Sequence, residues 1–281
     1  MPISLGTVSN LEAETGEALA SPYQEAAEAV QAAPVKNLDE TGWKQCGKRR
    51  WLWTAATAVV AFFSIHQLRG EEGLLKLLGG KLLGIFTSDR WSAYRVRATR
   101  FRQICWAHLM RDFQKLIDRG GREAKIGQKA KEIASWIFPV WKDFKTGGIN
   151  RETLQGCLRS VRRDFKQVME GGARLRGTKA AIFCQNLLDL EPALWTFARE
   201  EGVEPTNNHA ERVLRRGVLW RKNCFGCASD RGARFVERML TVAQSLRLQR
   251  RSVLEFLVKS VAAHRCGQQA PSILPAWGYP G

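Results

Sequence analysis

Three acidic residues of this chain stand in settings that suit phosphoryl transfer. Asp39 closes an apolar, strand-like run from Val35 and opens Asp39-Glu40-Thr41-Gly42-Trp43. Asp89 closes a second run, Leu82 to Ser88. Glu211 lies in Pro205-Thr206-Asn207-Asn208-His209-Ala210-Glu211-Arg212, which reads as the opening of a helix. Two carboxylates at strand ends and one on a helix can hold two Mg²⁺ ions, with Mn²⁺ as a substitute, because hard cations take oxygen ligands and keep several waters. Such a pair, about 3.5–4 Å apart, activates a nucleophile on one side of a phosphodiester and steadies the leaving oxygen on the other. Each residue also has a plainer reading. Asp89 suits a helix N-cap, Asp39-Glu40 a solvated turn, and Glu211 a surface pair with Arg215 one turn on.

Other residues near the triad could share its work. Asn207, Asn208 and His209 precede Glu211 closely enough for a helix to bring Asn207 and Asn208 onto its face, where one of the three could bond a phosphate or a metal-bound water. Asn207 suits an N-cap equally well. Arg212, Arg215, Arg216, Arg221 and Lys222 follow on the same segment, and 212, 215 and 216 share a face. They are candidates for phosphate contacts, which position DNA without reading its sequence. Arg97, Arg100, Arg102 and the run Arg159, Arg162, Arg163 are weaker candidates. Cys105 and His108 supply two of the four ligands zinc usually takes. Cys224 and Cys227 could complete a set, but the balance favours a buried Cys105, a structural or near-site His108, and no zinc.

The elements that must hold these residues change character along the chain. Residues 1–33 read as one or two helices capped at Ser9-Asn10, broken near Ser21-Pro22 and stopped by Pro34. From Val35 the pattern is strand, strand (Trp51–Thr57), strand (Val59–Gln67), helix (Glu71–Leu78), strand (Leu82–Thr87), short helix (Trp91–Tyr94), strand (Arg102–Cys105). Residues 107–200 read as helices punctuated by Gly120-Gly121, Gly147-Gly148 and Gly171-Gly172. One amphipathic face runs through Ile133, Trp136, Ile137, Val140 and Trp141, another through Val161, Phe165, Val168 and Met169. Helices follow from Asn207, over about Gly232–Gln249 and over about Ser252–His264, and Pro271–Gly281 reads as a loose tail. The expected division is a lead-in (1–33), a first part of the core (34–109), a helical insertion (110–203), remaining core helices (204–265) and a tail (266–281).

Composition narrows the class. Lys and Arg total 44 against 27 Asp and Glu, a net charge of +17, which fits a polyanion partner. The 44% hydrophobic content excludes general disorder. No stretch suits a membrane span, no basic-then-apolar signal opens the chain, and seven scattered cysteines read as reduced thiols. The ten tryptophans are many, and Trp43, Trp51 and Trp53 read as packing residues.

Four stretches together resemble the catalytic region of bacterial transposases of the insertion sequence 66 family. They are Asp39–Trp43 with Trp51-Leu52-Trp53, Ser88–Tyr94, Cys105–Phe113, and Thr206–Arg212 with Arg234-Phe235-Val236-Glu237-Arg238. The resemblance implies a ribonuclease H-like α/β fold, a mixed sheet flanked by helices with a large all-helical insertion before the last catalytic helix. It implies Asp39, Asp89 and Glu211 as the metal-binding triad, and double-stranded DNA, both transposon ends and target, as substrate. It also implies an oligomer assembled on DNA, in the bacterial cytoplasm at the nucleoid. Family members carry an N-terminal extension with coiled-coil and DNA-binding elements, whereas this chain begins shortly before the catalytic segment, as a truncated copy or fragment would. Two rival readings stay open: a nuclease or resolvase of the same fold that cuts without joining, and a non-catalytic DNA-binding remnant.

Overall fold

The computed structural model describes residues 3–276. Two helices, α1 (Leu5–Ala18) and α2 (Ala20–Ala32), lead into β1 (Val35–Gln45), β2 (Lys48–Ala56), β3 (Ala61–His66), α3 (Glu71–Leu77), β4 (Ile85–Ser88) and β5 (Arg102–Ile104). Then come α4 (Trp106–Arg119), α5 (Gly121–Ser135), α6 (Ile137–Lys145), α7 (Arg151–Ala173), α8 (Lys179–Asp189) and the single turns α9 (Glu191–Leu194) and α10 (Thr196–Arg199). The chain closes with α11 (Asn208–Cys224), α12 (Asp230–Leu248) and α13 (Val253–Arg265). The strands form one mixed sheet in the order β3-β2-β1-β4-β5, flanked by helices and interrupted by a large all-helical insertion, as expected. Contacts divide the chain into two compact units: residues up to 86, 91–96 and 208 onward, and residues 87–90 with 97–207.

In the first unit β1 is longer than its apolar run suggests. It pairs antiparallel with β2 from Asn37↔Ala56 to Gln45↔Lys48, so Asp39-Glu40-Thr41-Gly42-Trp43 is strand and not turn. The real turn is Cys46-Gly47, both at positive φ, the backbone that a two-residue hairpin demands. Alternation then sorts the sheet's two faces. Leu38, Trp53 and Ala55 pack with Ala26 and Val30 of α2 and Leu74 and Leu77 of α3. Trp43, Leu52 and Ala56 pack with Val213 and Leu214 of α11 and Val236 and Leu240 of α12.

Strand β3 ends the sheet, which leaves its outward N–H groups without a strand partner. α12 replaces that partner with side chains. Ser245 Oγ accepts from Ala61 N at 3.0 Å, Thr241 Oγ1 from Phe63 N at 3.0 Å, and a Glu237 carboxylate oxygen from Ile65 N. Spacing of four residues on the helix matches spacing of two on the strand, since both repeats advance about 6 Å or slightly more. Burial pushes the Glu237 carboxyl above its ordinary range, although the Ile65 N–H and the positive charges of Lys76, Arg238 and Arg234 oppose this.

The second unit is built on aromatic rings. Trp106 meets Phe165 edge-on at 5.2 Å between centroids and Trp195 at 5.1 Å, and Phe113 meets Phe165 and Phe183 at 5.9 Å. The buried Gln103 side chain on β5 donates to Leu194 O and accepts from Phe197 N, tying α9 and α10 to the strand.

Several local expectations change. α1 is capped by Ser4, whose Oγ accepts from Thr7 N at 3.0 Å, and the break to α2 falls at Leu19. Pro22 sits in the first turn of α2, where a missing N–H costs nothing. The face drawn through Ile133 to Trp141 is divided between α5 and α6, leaving Trp136 62% exposed at the junction, with Pro139 in the opening turn of α6. Gly171-Gly172 lies inside α7. A Cβ at Gly172 would sit 2.4 Å from Cys184 Sγ, so the glycine there lets α7 and α8 approach. Of the expected loose tail, the described part is anchored. Ile273 is fully buried, its N–H donates to Glu25, and its carbonyl accepts from Gln249 and Arg251. Residues 277–281 lie outside the described residues. No described helix is long and apolar enough to cross a membrane.

Candidate catalytic site

Asp39 lies half-buried near the middle of β1, opposite Thr54, and its Oδ1 accepts from the backbone N–H of Glu40 at 2.9 Å. β1 is the central strand, between β2 and β4. The face that carries Asp39, Thr41 and Trp43 is the one α11 covers. Gly217 lets the helix settle there, since a Cβ would meet Leu52 at 2.5 Å. Arg221 clamps the far end by donating from Nη1 to Thr41 Oγ1 at 3.1 Å and to the Gly42 carbonyl. Arg221, one of the expected DNA contacts, therefore holds the helix to the strand. Glu211 stands half-buried in the first turn of the same helix. Arg215 has no acidic partner among the described residues, so the plain surface pair with Glu211 does not form.

Asp89 follows the last residue of β4 and is half-buried. Its neighbour Arg90 donates to Asp112 of α4 at 2.7 Å. Burial pushes the Asp112 carboxyl up, but hydrogen bonds from Lys115 and Arg90 outweigh it and hold the group below its ordinary range. Cys105 is fully buried, and its N–H donates to Ser88 O at 2.9 Å. Its Sγ accepts from the N–H of the buried Asn207 at 3.1 Å. His108 lies in the first turn of α4, Asn208 begins α11 exposed to solvent, and His209 Nε2 sits 2.7 Å from Thr57 O, which fixes the ring.

Among the described residues, Cys105, His108 and Glu211 offer ligand atoms that all lie within 4.8 Å of one another, a group able to hold a metal ion. Asp39 and Asp89 are not part of it. This corrects the expectation of a two-Mg²⁺ site and of zinc as the less favoured ion. A thiolate, an imidazole and a carboxylate are three donors of the kind that zinc takes, whereas Mg²⁺ takes hard oxygen ligands. Sequence reasoning sought the missing ligands in Cys224 and Cys227 and overlooked Glu211. Those cysteines belong to another place: Cys224 is exposed, and the Cys227 backbone exchanges hydrogen bonds with Lys44 and Cys46 beside the β1–β2 turn.

The basic candidates separate by exposure. Arg212, Arg215, Arg216 and Lys222 are exposed on α11. Arg102 is buried at 1% exposure in β5, which removes it as a DNA contact, while Arg97 and Arg100 stack on Phe101. Sequence reasoning also missed a buried acid. Glu40, next to Asp39 but on the opposite sheet face, accepts from Arg69 at 2.9 Å and from the Tyr94 hydroxyl at 2.5 Å. The alternation of Asp39 and Glu40 along one strand could have shown it.

No solved structure matches the chain. Among curated proteins it is similar to the uncharacterized protein y4qI of Sinorhizobium fredii, 23% identical over 254 residues, which cover 82% of this chain and 47% of that protein. The chain thus spans about half the length of that relative. The family model described as transposase IS66 family matches residues 1–235, and the chain belongs to that family.

Proposed function

We propose that this chain is the strand-cleaving and strand-joining part of an insertion-sequence transposase, acting on double-stranded DNA at transposon ends and target. One observation carries the reading: α11, which packs through Val213 and Leu214 on the sheet face that holds Trp43, carries half-buried Glu211 in its first turn and exposed Arg212, Arg215 and Arg216 directly after it. An acidic centre beside a bare cationic face is what a phosphodiester needs, because the cations hold the backbone while the carboxylates direct the attack.

In this reading Asp39, Asp89 and Glu211 are the catalytic carboxylates. Cleavage by water at phosphorus releases a 3′-hydroxyl at the transposon end and leaves a 5′-phosphate on the flank; that hydroxyl then attacks a target phosphorus, forms the new phosphodiester and releases the target's own 3′-oxygen as a hydroxyl. Water and then the 3′-hydroxyl are the nucleophiles, so no covalent protein–DNA intermediate is invoked. An ion held by Cys105, His108 and Glu211 would supply Lewis-acid chemistry. His209, fixed through Thr57, orients the start of α11.

The test is cleavage and joining of labelled duplex carrying transposon ends, with each divalent cation supplied in turn, for wild type, Asp39→Asn and Asp89→Asn. The reading expects joined products from the wild type and a loss of at least about 100-fold in each variant. Cleavage without joining would assign a nuclease of the same fold. Variants as active as wild type would remove the carboxylates from the mechanism.

A further inference from the structure

A second constellation in the sheet-bearing unit is not used by the chemistry above. The guanidinium of Arg69 lies 3.9 Å from the ring centroid of Trp91 and 4.9 Å from that of Trp51, and Arg49 lies 4.8 Å from Trp51. Arg49, Trp51, Arg69 and Trp91 thus form a run of alternating guanidinium and indole planes. The fold holds it rigid. Arg69 is bound by the buried Glu40, Tyr94 locks the other oxygen of that carboxylate, and Trp91 Nε1 donates to Arg69 O at 3.0 Å. Yet the outer members reach solvent: Trp91 is 36% exposed and Arg49 is exposed.

An indole left 36% exposed, with its angle fixed by the Nε1 bond to Arg69 O, is an unusual use of a large apolar ring, since tryptophan gains most when covered. What it offers is a flat surface whose ordering has been completed before any ligand arrives. Beside it, Lys48, Arg49 and Arg50 open β2 with three successive positive charges. A π-face next to a cationic run matches a nucleic-acid strand whose bases are unpaired, because every base stacks and every linkage carries a phosphate.

We propose that Arg49, Trp51, Arg69 and Trp91 are a stacking platform for unpaired DNA bases, with Trp91 as the contact plane and Lys48–Arg50 on the phosphates. The inference rests on the DNA-handling reading given above and extends it to single-stranded DNA such as cleavage and joining expose.

The experiment measures affinity for a labelled oligothymidylate and for the same strand as a duplex, at one salt concentration, using wild type, W91L and W91F. W91L keeps apolar bulk without the π-face, and W91F keeps a π-face. The platform predicts that W91L binds the single strand about tenfold more weakly, that W91F retains most of the affinity, and that duplex binding is the same in all three. W91L equal to wild type on the single strand overturns the platform while duplex binding leaves the DNA reading intact. W91L and W91F equally impaired overturns stacking and makes Trp91 a structural residue. A wild type that binds neither DNA overturns both readings.

Discussion

Two helices carry dense basic faces, and they treat their charge in opposite ways. On α7, Arg162 forks onto Glu191 at 2.5 and 2.9 Å, Arg163 reaches Asp164 at 2.9 Å, and Lys166 lies 3.9 Å from Glu170. All of these but Asp164 line an open cleft of about 720 Å³ together with Arg159. On α11, Arg212, Arg215 and Arg216 are exposed and, among the described residues, have no acidic partner. Exposed ion pairs add at most about 1 kcal/mol to stability, so the pairing on α7 matters mainly because it cancels the field. Basic composition alone therefore does not locate a polyanion surface. Uncompensated charge does, and that points to α11.

The largest expected effect breaks the comparison at its acids. Glu211→Gln is predicted to lower strand cleavage by at least about 100-fold, whereas Glu191→Gln, which strips the α7 pair, should leave the rate within about twofold. Equal losses in the two variants, measured in one cleavage assay, would remove the distinction between the helices.

A second prediction concerns how the sheet edge is held. Thr241→Val keeps the volume on α12 but leaves the Phe63 N–H buried without an acceptor, which should cost about 1–3 kcal/mol in denaturant unfolding. An unchanged midpoint would mean that β3 does not depend on α12 for its outward hydrogen bonds.

One acid in each unit, Glu237 and Asp112, differs in the sign of its pH response. Glu237 has a raised folded-state pKa, so its contribution is fully present below the ordinary carboxylate value and is lost as pH rises through the folded value. Asp112 has a lowered one, so its contribution is present above the ordinary value and is lost as pH falls through the folded value. Stability profiles of Glu237→Gln and Asp112→Asn should therefore diverge from wild type in opposite directions, Glu237→Gln gaining at neutral pH and Asp112→Asn losing there. Parallel profiles would contradict the assignment.

The sequence made local order readable and long-range pairing much less so. The helical spacing of α3 from Glu71, the strand-like stretch into Asp89 and the opening of α11 at Asn208 all declare themselves through spacing and composition. β1 did not, because its polar second half is strand only by virtue of nine paired positions with β2, and Cys46-Gly47 lacks the usual Asn-Gly signature. The Glu40–Arg69–Tyr94 network joins residues far apart in sequence, so no local window contains it. The same holds for Cys105, His108 and Glu211, where two ligands shared a visible spacing and the third lay on another helix.

The central claim is that α11 supplies the bare cationic face on which DNA is held. Its most direct test is the salt dependence of duplex binding for wild type, an Arg212→Ala/Arg215→Ala/Arg216→Ala variant and an Arg159→Ala/Arg162→Ala/Arg163→Ala variant. Plots of log Kd against log salt should lose about 2–3 units of slope in the α11 variant and keep the wild-type slope in the α7 variant. A slope that falls in the α7 variant and holds in the α11 variant would contradict the account.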